Sequence, residues 1–235
     1  LLRDHANYFL ETYNITSGMT VTYGPTLEDS LYGGSGDDVI LGQYGSDTLY
    51  GDDGNDSIYG GWGGDLIFGG LGADTVLAEQ GNDTVTAGDG NDSISLGDGD
   101  DSFGGWSTDA GDDTIDGGAG NDSINGGAGQ DVAYGGDGND WLTGASGNDT
   151  LYGGGGADLF AITDDHNGDT IYGGETGTDN DLLAFANASS TQDRPGIENL
   201  ELLVTKTWDG GGTTNNWSDA ANWNGDTVPL SADNV

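Results

Sequence analysis

Cysteine is absent from the 235 residues, so the chain has neither a disulfide framework nor a thiolate metal site. Only three residues are basic against 42 acidic ones, and the formal charge is −39. A polyanion of this kind has the wrong sign to bind nucleic acid through its phosphates; it attracts cations. Hydrophobic residues make up 33% of the chain, too little apolar surface for an ordinary core to offset chain entropy. No apolar run approaches the roughly 20 residues of a membrane-spanning helix. Neither H-E-x-x-H nor G-x-S-x-G occurs, which leaves no zincin site and no nucleophile elbow to read. Histidine is limited to His5 and His166 in dissimilar contexts, and His166 reads as a solvated loop residue. The chain is read as non-enzymatic.

What is there in quantity is glycine, 48 residues of it, and it recurs in step with aspartate. From Gly33 to Ala161 the chain divides into fourteen units. All are nonapeptides such as GDDGNDSIY and GGDGNDWLT, except one twelve-residue unit, GWSTDAGDDTID, that lengthens a loop at Trp106 to Ala110. The sixth position is Asp throughout: Asp38, Asp47, Asp56, Asp65, Asp74, Asp83, Asp92, Asp101, Asp113, Asp122, Asp131, Asp140, Asp149 and Asp158. The eighth is apolar throughout, from Ile40 and Leu49 to Leu151 and Phe160. Degenerate units at the ends add Asp29, Asp169 and Asp181. A solvated linker would have no use for the apolar eighth position, so the array predicts a fold. Each unit reads as a six-residue turn and a three-residue strand, with position 8 inward and positions 7 and 9 outward. Glycines at positions 1, 2 and 4 permit positive φ and close backbone approach. Several units depart from the pattern, at Gln43, "AEQG", Ala87, Leu96 and Ala145.

These units resemble the RTX (haemolysin-type) calcium-binding nonapeptide G-G-x-G-x-D-x-U-x, over roughly residues 24 to 184. The resemblance implies an all-β fold, a right-handed parallel β-roll. Two units would make one 18-residue turn, with units n and n+2 stacked in one sheet. About seven turns at roughly 4.8 Å per strand give a roll about 35 Å long. It also implies where Ca²⁺ would sit, between the loops of units n and n+2. The ligands implied are the position 6 and end-unit aspartates named above, with backbone carbonyls of the glycine-rich turns, here Gly33, Gly51, Gly60, Gly69, Gly117, Gly126, Gly135 and Gly153. Fourteen units make about a dozen such pairs.

Stacking explains why a cation is needed. Aspartates 18 apart fall into columns, and charges about 5 Å apart repel by roughly 1 kcal/mol even in water. A hard cation between the loops removes that repulsion. Ca²⁺ accepts six to eight oxygens at flexible geometry, whereas Mg²⁺ demands a strict octahedron and holds its water. The expectation is a chain disordered without calcium and folded with it.

The ends differ from the array. Residues 1 to 23 end in the alternating "MTVTY" and read as a cap or the end of a preceding domain. Residues 185 to 205 read as a closing cap, with Ile197, Leu200 and Leu202 as core contacts; Arg194 either pairs with carboxylates or stays solvated. Residues 206 to 235 are Trp-rich and resemble a Trp/Asn-rich repeat of large bacterial surface proteins, either the start of a truncated next domain or an aromatic platform for carbohydrate. Tyr32, Tyr50 and Phe68, and Tyr134 and Tyr152, are spaced to stack on outer faces, as ordinary cross-strand pairs or as a contact surface for a neighbouring domain or subunit. The chain opens LLRDHANYFL and stops at PLSADNV, and reads as a piece of a longer protein. The function expected is that of a secreted structural segment of a large bacterial cell-surface protein, adhesin or surface-layer in type; the RTX resemblance implies export through a type I system and folding by Ca²⁺ outside the cell. The alternative is the secretion and folding module of an enzyme or toxin whose catalytic domain lies elsewhere.

Overall fold

The computed structural model describes residues 12–14, 20–22, 28–104, 110–162, 169–174, 181–185 and 201–202. Among the described residues there are strands and turns and no helix, hence no helix long and apolar enough to cross a membrane. An apolar residue at position 8 between outward-facing neighbours is what a strand with one buried face requires. The strands that carry the core residues start accordingly at position 7, as in Val39–Tyr44, Thr48–Asp53, Ser57–Trp62 and Leu66–Leu71.

The strands then run past their expected end. In the regular units they continue through positions 1 to 3 of the next unit, giving six residues of strand and three of turn, the reverse of the proportions expected; Ser123–Asn125 and Trp141–Thr143 instead stop at position 9, and pairing resumes at Ala128–Gly129 and Ser146–Gly147. The glycines explain the difference. Those at positions 2 and 4 lie in the left-handed region, as Gly61 (φ 109°) and Gly63 (φ 125°) do, whereas the position 1 glycines do not. A position 2 glycine bends the strand and leaves its pairing intact. Position 1 needs glycine for a different reason, described below.

Consecutive strands alternate between two parallel sheets. Ser30–Ser35, Thr48–Asp53, Leu66–Leu71 and Thr84–Asp89 adjoin in one; Val39–Tyr44, Ser57–Trp62, Thr75–Gln80 and Ser93–Asp98 adjoin in the other. Leu31 pairs with Leu49 and Leu49 with Ile67; Ile40 pairs with Ile58 and Ile58 with Val76. Partners are thus 18 residues apart, and two units complete one turn of a β-solenoid, the β-roll. The twelve-residue unit lengthens one step in each sheet to 21 residues, Ile94 against Ile115 and Phe103 against Ile124, after which the 18-residue register resumes.

All fourteen position 8 side chains are buried, together with Leu31 and Ile171. They form one continuous core between the sheets. Ala78, Ala87 and Leu96, from position 1, join it; the alternation continued through the longer strands turns position 1 inward. On the outer faces the position 9 rings stack. Tyr32 lies 4.6 Å from Tyr50, and Tyr50 4.9 Å from Phe68, with near-parallel planes. Tyr134, Tyr152 and Tyr172 form a second such ladder on the other sheet. His166, Trp106, Arg194, Ile197, Leu200 and segment 206–235 lie outside the described residues, and so do the side chains of Leu183 and Leu202.

Candidate metal centre

The three-residue turn brings position 6 to the corner of the roll, where its side chain turns inward. Every position 6 aspartate is buried, at most 3% exposed. Asp29 and Asp181 are buried with them, and Asp169 is half-buried. The two carboxylate oxygens have separate fates. Oδ1 accepts a hydrogen bond from the backbone N–H of the aspartate one turn earlier: Asp38 N donates to Asp56 Oδ1, Asp47 N to Asp65 Oδ1 and Asp56 N to Asp74 Oδ1, each at 2.7 Å. The bond recurs along both columns. It bridges the long unit from Asp92 to Asp113 (2.8 Å) and reaches Asp181 from Asp158 across 23 residues (3.0 Å). The degenerate aspartates Asp29 and Asp169 take part in it as well, through Asp29 N to Asp47 Oδ1 and Asp149 N to Asp169 Oδ1.

Oδ2 is different. In Asp47, Asp56, Asp65, Asp74, Asp83, Asp101, Asp122 and Asp140 it is buried and accepts no hydrogen bond. A carboxylate oxygen withdrawn from water in this way is costly unless something positive or donating faces it. The electrostatics reflect this. Burial pushes the carboxyls of Asp47, Asp65, Asp83 and Asp122 up to about 7 and that of Asp56 to about 6, against the opposing effect of the backbone hydrogen bond. Neighbouring aspartates of the same column push in the same direction as burial.

Position 1 completes the corner. A Cβ placed on Gly42 would stand 2.5 Å from the Gly60 carbonyl oxygen and 2.6 Å from Asp47 Oδ2. On Gly60 it would stand 2.5 Å from Asp65 Oδ2 and 2.6 Å from the Ala78 carbonyl oxygen. Real Cβ atoms essentially never come so close. Glycine is therefore required here for space, not for its dihedral freedom. Two oxygens from different units, a carboxylate and a carbonyl, converge on the spot that a side chain would fill. Gly33, Gly51, Gly69, Gly117, Gly135 and Gly153 repeat the arrangement, and Gly126 stands against the Asp131 carboxylate. Gly42, Gly144 and Gly173 occupy the same place against their own aspartates, although Gln43 and Ala145 beside two of them obscure the glycine pair in the sequence.

This donor set fits a hard divalent cation. It consists of carboxylate and carbonyl oxygens alone, with no nitrogen or sulfur, and such sets suit Ca²⁺. Among the described residues no three acidic or histidine side chains gather at one point. A cation at a corner would therefore draw on main-chain carbonyls for much of its shell, as Ca²⁺ sites commonly do. A model of the RTX calcium-binding nonapeptide repeat matches the chain over residues 28–43, 41–76, 77–109, 107–133 and 134–161. Comparison with curated proteins finds no match.

Proposed function

The chain belongs to the family of RTX calcium-binding nonapeptide repeats, and on that footing we propose that calcium is the agent that folds it. It is a calcium-binding repeat module with a structural fold. In our reading the ligands are the position 6 aspartates, helped by Asp29, Asp169 and Asp181 at the ends and by position 1 carbonyls. Each ion bridges units n and n+2, so the array takes about a dozen. The observation that carries this reading is the row of buried Oδ2 atoms without hydrogen bonds. A cation between turns offsets the cost of burying them and the repulsion along each column.

The roll is assigned to residues 24–184, the closing cap to 185–205, and the Trp-rich stretch 206–235 to the start of a next domain. Residues 1–23 serve as a cap or belong to a preceding domain. In the cytosol, where Ca²⁺ is scarce, a chain of charge −39 stays open and fit for export; outside the cell, Ca²⁺ closes it. The Trp-rich stretch favours a segment of a large bacterial surface protein over the folding module of a secreted enzyme.

Circular dichroism of the chain in EGTA and in millimolar Ca²⁺ tests the central point. Strand content is expected to rise sharply with Ca²⁺ and to respond poorly to Mg²⁺. Equal strand content with and without calcium would overturn it.

A further inference from the structure

We propose that the calcium ladder of this roll is interrupted at three consecutive units, where Ala78, Ala87 and Leu96 replace the position 1 glycine and apolar packing takes over from the cation. The inference rests on the calcium reading above.

Register places these residues in the same columns as the glycines. Ala78 lies opposite Gly60 on one side and Leu96 on the other; Leu96 lies opposite Gly117; Ala87 lies opposite Gly69. All three are fully buried and belong to the core cluster with the position 8 residues. Their side chains therefore enter the corner that glycine elsewhere leaves to the two converging oxygens. At Gly42 and Gly60 that corner does not admit even one carbon. Leucine brings four.

The turns nevertheless stay in register across this stretch. Asp65 N donates to Asp83 Oδ1, Asp74 N to Asp92 Oδ1 and Asp83 N to Asp101 Oδ1, each at 2.7 Å, as in the regular turns. Backbone pairing also continues on both sides of Ser93–Asp98. The hydrogen-bond ladder thus continues where the room for a cation is lost, and the Oδ2 atoms of Asp83 and Asp101 stay buried there without a hydrogen bond, a cost that the burial of Ala78, Ala87 and Leu96 in the core offsets. Calcium would load as two runs of sites, fewer in all than the dozen that unit pairing alone gives, one led by the glycines from Gly33 to Gly69 and one by those from Gly117 onward, joined by a coil that apolar contact holds.

The experiment is a count of bound calcium per chain by native mass spectrometry of the 235-residue protein in excess Ca²⁺, with folding followed by circular dichroism. Ala78→Gly and Ala87→Gly each remove one methyl group, and each is expected to gain one ion. Gly60→Ala and Gly69→Ala are expected to lose one each. Leu96→Gly is not the deciding variant, because it leaves a hole in the core. An unchanged count in folded Ala78→Gly and Ala87→Gly would overturn the interruption while leaving the calcium reading standing. No calcium on the wild-type chain would overturn both.

Discussion

Positions 5 and 6 are adjacent in every turn, and each carries a ladder of side-chain acceptors, one at the surface and one in the interior. In the outer ladder Asn55 N donates to Asp37 Oδ1, Asn121 N to Asp100 Oδ1 and Asn139 N to Asn121 Oδ1, at 2.8 to 2.9 Å. Asn and Asp serve there alike; six of the fourteen units have Asn at position 5. In the inner ladder the same kind of bond recurs, yet every unit has Asp. Were the backbone bond the whole purpose of position 6, the single amide oxygen of Asn would do, and some units would use it. The uniform choice of Asp points to the second oxygen and the charge. The outer ladder is solvated and complete by itself; the inner one is buried, and its second oxygens are the ones we assign to the cation.

The strongest way to break this contrast is to make the inner ladder resemble the outer one. Asp65→Asn keeps the Oδ1 acceptor and removes the charge. It should cost the calcium-loaded roll about 3 kcal/mol, the scale of stripping one partner from a buried ion pair. In EGTA the sign should reverse, since a buried charge is gone. Thermal melts in Ca²⁺ read the loss and the residual strand signal in EGTA reads the gain; a variant that loses in both buffers would refute the contrast.

Protons test the same point without mutation. The inner carboxyls of Asp47, Asp65, Asp83 and Asp122 titrate at about 7 in the roll because of burial, against about 3.9 in an unfolded chain. Between those values the calcium-free roll holds more protons than the unfolded chain, so its stability falls as pH rises. Calcium-free protein should gain strand signal from pH 8 to pH 5, and calcium affinity should weaken over the same interval. The outer Asp100 has the opposite sign: hydrogen bonds from Asn121 hold its carboxyl below the usual range, and its small contribution is lost on acidification. Strand content that is flat from pH 8 to pH 5 in EGTA would contradict the buried-charge account.

Smaller effects sharpen the picture. Gln43, Asp52, Glu79 and Ala145 hold position 2 at positive φ without being glycine, a conformation that costs an L-residue roughly 1 kcal/mol or more. Gln43→Gly should therefore stabilise the loaded roll by about 0.5 to 1 kcal/mol, seen as a raised melting temperature. Asn139→Ala removes one outer acceptor, for Ala157 N at 2.8 Å. It should cost about 0.5 kcal/mol, as an exposed hydrogen bond does, and leave the number of bound ions unchanged. A changed ion count in that variant would show that the two ladders are not separable.

Much of the roll was legible in the residues. The apolar eighth position marks the core from Ile40 to Phe160, and the ninefold spacing of Asp marks the corners. The position 9 aromatics are spaced to stack, as they do. Strand length was not legible, because a glycine at positive φ reads as a turn and Gly61 only bends a continuing strand. Nor was the outer ladder: the variety of Asn, Asp, Gln, Ser, Gly and Ala at position 5 conceals a contact made by only some of them. Gly42 and Gly144 were obscured by their neighbours. Ala78, Ala87 and Leu96 read as blemishes in a motif, and only their burial makes them core.

The linear pattern determined which residues face inward, how many units there are and that acidic residues outnumber basic ones 42 to 3. Those properties are local; they follow from the period of an extended strand and from simple charge. Tertiary stacking decided the rest: that in aspartates such as Asp47, Asp56 and Asp65 one carboxylate oxygen goes to the neighbouring turn and the other accepts no hydrogen bond, and that Gly42 and Gly60 have no room for a side chain. Both depend on atoms 18 residues away, brought together only when one turn lies on the next.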